Sequence, residues 1–541
     1  RSIVSMGRAE VICLSVNAID QLYVADQYIV THNTLEIMGG IIEAQVAGPY
    51  LVIAPKTAAR TVWAREIERW LPREHRAITL PEGRLQRERL LRLKRMGETT
   101  WLIVHPEVVM TQTWLKCAEC GGLTASRNKQ ARQLKCGHMK NRKTVKHDEY
   151  SYPKLFKVEW GAIIIDESHE SLIRRSGTPT QRRNGMDKLR ARVDGIRIAA
   201  SGTPMNDKPH QLWGTLNWLD PKQYSAFYRW AELYWQKGGY SGFEIGEFRQ
   251  DREHLLWDSL NSIALRRTKL EVAQDLPPKM EIGTKLVPQD EESPTGIWLE
   301  MDGVQAKAYA QMQEQSAAEL ESGRLEALGA LAELTRLKQL ACSYGDITTK
   351  KFRYEDGEIG YRQKYIPKLP SNKFNRLVED LEEWGYPNNP LTKVVVVSMF
   401  TGLLELVGRE LEVHFKVKPK VPLVSSLTGK VKGTARDAVI SRFNESDNEM
   451  IMMLNVKAGG TAITIDTADR MIFLSETRIP SQQLQAEDRI HRVSNPRQCM
   501  YYYYRSLGTV DVGTAQINKE LIKGNHRLLD GRRGVEYLRQ V

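Results

Sequence analysis

Residues 162–170 read AIIIDESHE, and the fold turns on how they are read. Ala162 to Ile165 run without a polar break and then give way to Asp166, Glu167, Ser168 and His169. A half-wet strand alternates apolar and polar side chains; an unbroken run is the pattern of a strand covered on both faces, as in a parallel sheet between helices. An acidic turn closing an ordinary strand would look the same in isolation, so the surroundings decide.

Working outward, the strand-then-turn pattern recurs. Upstream, LEIMGGIIEAQVAG (35–48) spaces its apolar residues as a helix does and leads into YLVIAPKT (50–57), a second buried strand. Within LVIAPKTAARTVWAREIERW (51–70), Pro55 and Lys56 stand at the strand end and a helix is expected from near Ala59; LIVHPEVVM (102–110) sets His105 behind another apolar run. Downstream, IRIAASGTPMND (196–207) places Ser201, Gly202, Thr203 and Pro204 after a further strand. Small hydroxyl residues suit a switch that exchanges hydrogen bonds, and the same residues also make a plain turn. A second series begins with KVVVVSMFTGLLELVGREL (393–411), a buried strand and an amphipathic helix, followed by SSLTGKVKGTARDAVISRFN (425–444). IMMLNVKAGGTAITIDTADRMIFLS (451–475) has Gly459 and Gly460 at its centre, where glycine lets backbone approach a phosphate or sugar. QAEDRIHR (485–492) closes the series; alone it would read as a surface helix with charged pairs three residues apart.

The 541 residues, 41% of them hydrophobic, suffice for several domain-sized cores. With 78 Lys and Arg against 66 Asp and Glu, the net charge of +12 favours a polyanionic partner. No run approaches the roughly 18–20 apolar residues needed to cross a bilayer. Six cysteines in so long a chain fit a reducing compartment better than a disulfide framework, so a cytoplasmic protein is expected.

In order and spacing these stretches resemble the motifs of superfamily-two helicase-like ATPases. LRRTKLEVAQDLPPK (265–279), LTRLKQLACSYGD (334–346) and SETRIPSQQLQAEDRIHRVSN (475–495) resemble the Swi/Snf type in particular, although Ile479-Pro480 replaces that family's usual Trp-Asn-Pro. The resemblance implies an α/β fold of two RecA-like parallel-sheet lobes with helical insertions: lobe one over 34–280, a helical brace over 281–385 and lobe two over 386–541. It implies ATP and Mg²⁺ as ligands and double-stranded DNA as partner, with movement along the duplex driven by hydrolysis. By the same resemblance Asp166 holds the metal ion, Glu167 activates the attacking water, and Ser201, Gly202 and Thr203 couple nucleotide state to nucleic acid. Gly459 and Gly460 face phosphate, and Gln485, Arg489 and Arg492 belong to the arginine-bearing motif that serves the nucleotide. An RNA-directed helicase is the neighbouring alternative, disfavoured by the Swi/Snf-like stretches.

The chain's first segment is of another kind. Residues 10–34, EVICLSVNAIDQLYVADQYIVTHNT, are short β-type runs ending in His32, Asn33 and Thr34. An Asn amide can attack its own backbone carbonyl and cut the bond after it, a preceding His can supply the proton, and a following hydroxyl can accept the upstream chain by ester exchange. The ending resembles the C-terminal splice junction of inteins, with Val11 to Val16 as the strand before it and Cys13 at that strand's functional position. A helix N-cap after an ordinary hairpin is the alternative. The helix opened by Thr34 resembles the one that follows a Walker A loop, G-x-x-x-x-G-K-[ST], yet the Gly-Lys part is absent. The two resemblances together imply that residues 1–33 are an intein tail, that an upstream fragment supplies the missing Gly-Lys, and that Thr34 is the metal ligand restored by splicing. Unspliced, such a chain is expected to bind DNA without hydrolysing ATP, or to act only as a splicing half. An intein in a motor gene further suggests a bacterial or phage source.

Between LIVHPEVVM (102–110) and AIIIDESHE (162–170), within an insertion over 117–147, lie Cys117, Cys120, Cys136 and His138, with His147 as an alternative fourth ligand. Three thiols and an imidazole with a two-residue first spacing fit a structural tetrahedral Zn²⁺ site; free thiols in an unstructured insertion are the alternative.

Overall fold

The computed structural model describes residues 11–523, apart from short gaps; those of five residues or more are 17–21, 89–96, 126–144, 174–178, 203–208, 239–243, 268–274, 354–358, 417–423 and 457–462. The chain divides into two compact units, Arg1–Gln274 with Asn525–Val541, and Asp275–Gly524.

The first unit is built on strands β1 (Val11–Val16), β2 (Leu22–Ala25), β3 (Ile29–His32), β4 (Tyr50–Ile53), β5 (Arg76–Thr79), β6 (Thr100–Val104), β7 (Thr111–Lys116), β8 (Leu123–Ala125), β9 (Val145–Tyr150), β10 (Trp160–Ile165), β11 (Val193–Ala200), β12 (Trp235–Gly238), β13 (Glu244–Phe248) and β14 (Ala264–Arg267). Seven of them form one sheet in the order β14-β1-β11-β10-β4-β6-β5, with every neighbouring pair parallel. The unbroken apolar runs have the cause expected of them. Leu51, Ile53, Leu102, Val104, Ile163 and Ile165 point into one core, and Tyr50, Val52, Trp101, Ile103, Ala162 and Ile164 into another on the opposite face. Helix Asn33–Glu43 closes the second core with Ile37, Met38 and Ile41. Met186 and Leu189, from helix Gln181–Arg190, close the first.

Of residues 1–33, read above as a segment ahead of the lobe, residues 11–16, 22–25 and 29–33 are described. β1 lies inside the sheet, parallel to β11 and β14, with Cys13 in register with Ala199 and Ala264. Its sequence, VICLSV, is apolar enough for a strand flanked on both sides. β2 and β3 then form an antiparallel hairpin in which His32 pairs with Leu22, and helix Asn33–Glu43 begins at the next residue.

The second unit repeats the scheme with β15 (Met280–Ile282), β16 (Thr284–Lys285), β17 (Thr295–Leu299), β18 (Ala317–Leu320), β19 (Gly323–Glu326), β20 (Gly345–Arg353), β21 (Ile359–Pro367), β22 (Val394–Ser398), β23 (Val424–Leu427), β24 (Ile451–Asn455), β25 (Arg470–Phe473) and β26 (Met500–Ser506). Its sheet runs β16-β17-β26-β25-β22-β24-β23, with β15 also against β26. Alternation again feeds two cores: Val394, Val396, Tyr502 and Tyr504 in one, Val395, Val397, Tyr501 and Tyr503 in the other. The stretch expected as a helical brace over 281–385 does carry helices, Gly303–Gln315, Ala330–Cys342 and Asn372–Glu383. It is also partly β, because β16 and β17 extend the main sheet and two hairpins, β18-β19 and β20-β21, separate the helices.

Candidate functional site

At the carboxyl end of β10 the chain turns sharply. Asp166 is held in place from three sides: its amide donates to the Ile53 carbonyl at 2.9 Å, Oδ2 accepts from Trp63 Nε1 at 3.0 Å, and Oδ1 accepts from the Glu167 amide at 2.9 Å. Burial pushes its carboxyl above the ordinary range, and the Trp63 and Glu167 donors offset that only in part. A buried carboxylate in that condition gains most from a cation. Glu167 adopts a left-handed backbone, φ 48° and ψ 49°, a strained conformation that a non-glycine residue keeps only when its surroundings impose it. Trp63 ends a π-helical turn, Ala59–Trp63, a local widening of the helix of the kind found at functional sites.

His169 joins this corner to the next strand. Its Nδ1 lies 2.8 Å from Ser201 Oγ, at the end of β11, and 3.3 Å from Glu167 Oε2. Burial lowers the imidazole pKa to about 4, so the ring is neutral at neutral pH. Alongside lies a cavity of about 200 Å³ whose lining includes Lys56, Glu107, Asp166, Glu167, Glu170 and Arg182. Glu107 is drawn down to about 2, chiefly by its 2.6 Å hydrogen bond with His105. Glu170 is raised by burial, with Arg182 acting the other way. Thr34, at the head of helix Asn33–Glu43, is buried, and its Oγ1 has no hydrogen-bond partner among the described residues.

In the second unit Gln485, Arg489 and Arg492 are buried. Arg489 Nη1 and Arg492 Nη2 both donate to the Ile463 carbonyl, at 3.3 and 2.8 Å, so the two guanidinium groups converge on one point of the backbone. Ser201 and Gly202 are described and buried; Thr203, Gly459 and Gly460 lie outside the described residues. Of the zinc set, Cys117 is buried and Cys120 exposed, both between β7 and β8; Cys136 and His138 lie outside the described residues, and His147 pairs with Trp114 across β9 and β7. Among the described residues no group of three His, Cys, Asp or Glu is arranged to hold a metal.

Residues 19–345 match the SNF2-related domain, and residues 373–494 the helicase conserved C-terminal domain. The chain belongs to the SNF2-related family. Among curated relatives, the probable ATP-dependent DNA helicase CHR12 of Arabidopsis thaliana is 24% identical over 89% of this chain and 37% of its own length. The chromodomain-helicase-DNA-binding protein 1 of Gallus gallus is 21% identical over 90% of this chain and 24% of its own. This SNF2-related chain thus spans between about a quarter and little more than a third of the length of these relatives. Among solved structures, the Sulfolobus solfataricus SWI2/SNF2 ATPase core in complex with dsDNA is 18% identical, with a TM-score of 0.35, over 93% of this chain and 85% of that one.

Relatives of this family are named as ATP-dependent, so the fit of nucleotide and metal matters. A buried hydroxyl without a partner and a buried carboxylate raised by desolvation are the oxygen donors a hard divalent cation takes, and Thr34 and Asp166 fit that part. The phosphate cradle does not fit: residues 22–33, directly ahead of Thr34, contain neither glycine nor lysine, and β3 runs straight into the helix. Sequence reading missed Trp63, although it lies in a quoted stretch, because a tryptophan inside a helix reads as core. It also left His169 without a role, since nothing in DESHE says that the imidazole reaches Ser201.

Proposed function

We propose that this chain is most of an ATP-driven motor on double-stranded DNA, completed when splicing at Asn33-Thr34 removes residues 1–33 and joins Thr34 to an upstream Gly-Lys. The observation that carries the reading is the Thr34 hydroxyl, buried without a hydrogen-bond partner among the described residues, in the unit that holds Asp166 and Glu167. In this reading Thr34 and Asp166 would hold Mg²⁺, which would supply charge neutralisation to the phosphates. Glu167 receives the proton of the attacking water, and Arg489 and Arg492 bring positive charge to the oxygens where negative charge develops. His32 and Asn33 cut the junction, with Cys13 in support. DNA is gripped mainly through its phosphates, which position a protein without reading sequence. A bacterial or phage-infected cytoplasm is the proposed setting.

Two observations favour a second reading. The SNF2-related match begins at residue 19, and β1 is paired inside the lobe's own sheet, which suits a first segment native to the lobe. In that case the intact chain is a DNA-binding unit without turnover, or it holds phosphate by other residues. Intact mass and duplex-stimulated ATPase separate the two, measured on this chain alone and after mixing with an upstream intein fragment whose extein ends in Gly-Lys. A ligated product continuing from Thr34, with ATPase that appears only then and is lost on Glu167→Gln, is the expected result. Full ATPase from the unligated chain sinks the splicing reading.

A further inference from the structure

The stretch that carries Arg489 and Arg492 is held by residues where the chain enters the second unit. Lys279 Nζ lies 3.0 Å from Glu487 Oε2 and 2.5 Å from Asp488 Oδ1. Two residues earlier, the Pro277 carbonyl accepts a hydrogen bond from His491 Nε2 at 2.8 Å. Glu487 is fixed from its other side by Tyr503, whose hydroxyl donates to Oε1 at 2.9 Å, and by Tyr501, whose hydroxyl donates to the Glu487 carbonyl at 2.9 Å. Glu487 and Asp488 are both buried. Two adjacent buried carboxylates repel one another, and a cation placed between them holds both in one arrangement. Lys279 supplies one ammonium group to both.

The consequence falls on the arginines. Helix Pro480–Glu487 ends at the first clamped residue, and the chain then turns through Asp488 to Arg492. That turn keeps short-range backbone hydrogen bonds, from the Asp488 amide to the Leu484 carbonyl at 3.0 Å, Arg489 to Ala486 at 3.1 Å and His491 to Glu487 at 3.4 Å, and the direction in which Arg489 and Arg492 leave it depends also on what fixes the side chains of Glu487, Asp488 and His491. Those fixed points include the Lys279 ammonium and the Pro277 carbonyl, beside the Tyr503 and Tyr501 hydroxyls on Glu487. We propose that Lys279 is a positioning residue for Arg489 and Arg492, acting through Glu487 and Asp488. The catalytic half of the proposal rests on the reading that these arginines serve the nucleotide.

The test has two readouts. In the 541-residue chain, Lys279→Met is expected to speed amide hydrogen exchange across residues 484–495 at least ~10-fold while leaving β22 unchanged, and Lys279→Arg to stay within about twofold of the parent. In the ligated protein, Lys279→Met is expected to lower duplex-stimulated kcat at least ~10-fold with KM for ATP within about twofold, because arginines that act on developing charge affect kcat. Lys279→Arg is expected to recover at least half of that loss. Should Lys279→Met fold poorly, the Lys279→Met/Glu487→Gln/Asp488→Asn variant removes the three charges together, and it too is expected to show the kcat loss. Unchanged exchange at 484–495 overturns the clamp. Faster exchange with unchanged kcat overturns the positioning role. A ligated parent without ATPase overturns the functional reading and the catalytic half with it, whereas exchange still decides whether Lys279 holds the turn.

Discussion

His169 sits where a proton would be expensive. Its ring is buried, and its pKa is lowered to about 4 from an ordinary value of 6.5. Above pH 6.5 neither the folded nor the unfolded chain protonates it, so it has no effect on stability there. As the pH falls from 6.5 to 4 the unfolded chain takes up a proton that the folded one refuses, and stability falls with pH. One pKa unit corresponds to ~1.4 kcal/mol, so the expected loss is about 2 kcal/mol at pH 5 and about 3 kcal/mol near pH 4. His169→Gln is expected to flatten this part of the profile, measured as the urea midpoint of the first unit at pH 7 and pH 5. An unchanged difference between the two pH values would show that the ring is reached by solvent. Glu107 works in a separate window: its carboxyl, lowered to about 2 by His105, adds stability that is lost only as the pH falls from the ordinary 4.5 towards 2.

At the scale of an element, helix Gln181–Arg190 shows how packing overrules local preference. Gly185 lies against the turn Pro106–Val109, and a Cβ built there would stand 1.6 Å from the Val109 carbonyl oxygen. Propensity alone would favour alanine in mid-helix by ~1 kcal/mol. The overlap is with backbone, which cannot rotate away, and forcing a core apart costs about 1–3 kcal/mol or more. Gly185→Ala is therefore expected to destabilise the first unit by about 2 kcal/mol, seen as a lower urea midpoint; a higher midpoint would mean that the close approach is wrong. The same helix carries Arg183, fully buried, which donates to the Leu172 carbonyl at 2.6 Å and to Asn217 Oδ1 at 2.7 Å, and so ties the chain beyond Asp166 to helix Pro209–Leu219. Such elements mark the limit of what periodicity can tell. The strands around 50–53, 162–165 and 394–397 were legible because two-sided burial writes itself as an unbroken apolar run. Gly185 and Arg183 were not, because their meaning lies in partners distant along the chain. The hairpins within 281–385 were missed for a related reason: ITTKKFR and YRQKYIP are too polar to read as strands until they pair with each other.

Over the whole molecule, the two sheets and the acidic turn could be read from order and spacing, whereas the place of β1 could not: a short apolar run does not say which sheet receives it. The charge balance could also be read, and it yields a prediction that separates grip from chemistry. A net charge of +12 on 541 residues is spread over a chain proposed to hold DNA by its backbone. Each phosphate neutralised releases condensed counterion, so the logarithm of affinity falls with the logarithm of salt at a slope near −0.9 per contact. With about five contacts, raising salt from about 50 to 200 mM is expected to weaken binding at least ~100-fold. None of this involves the nucleotide, so the unligated chain is expected to bind duplex DNA of unrelated sequences with similar affinity and the same salt slope as the ligated protein, while lacking its ATPase. Fluorescence anisotropy on two unrelated duplexes across a salt series measures both quantities. A slope near zero would remove phosphate contact as the source of affinity, and a large difference between the duplexes would mean that base edges are being read. A chain that binds DNA only after ligation would mean that the grip, too, depends on a complete phosphate loop.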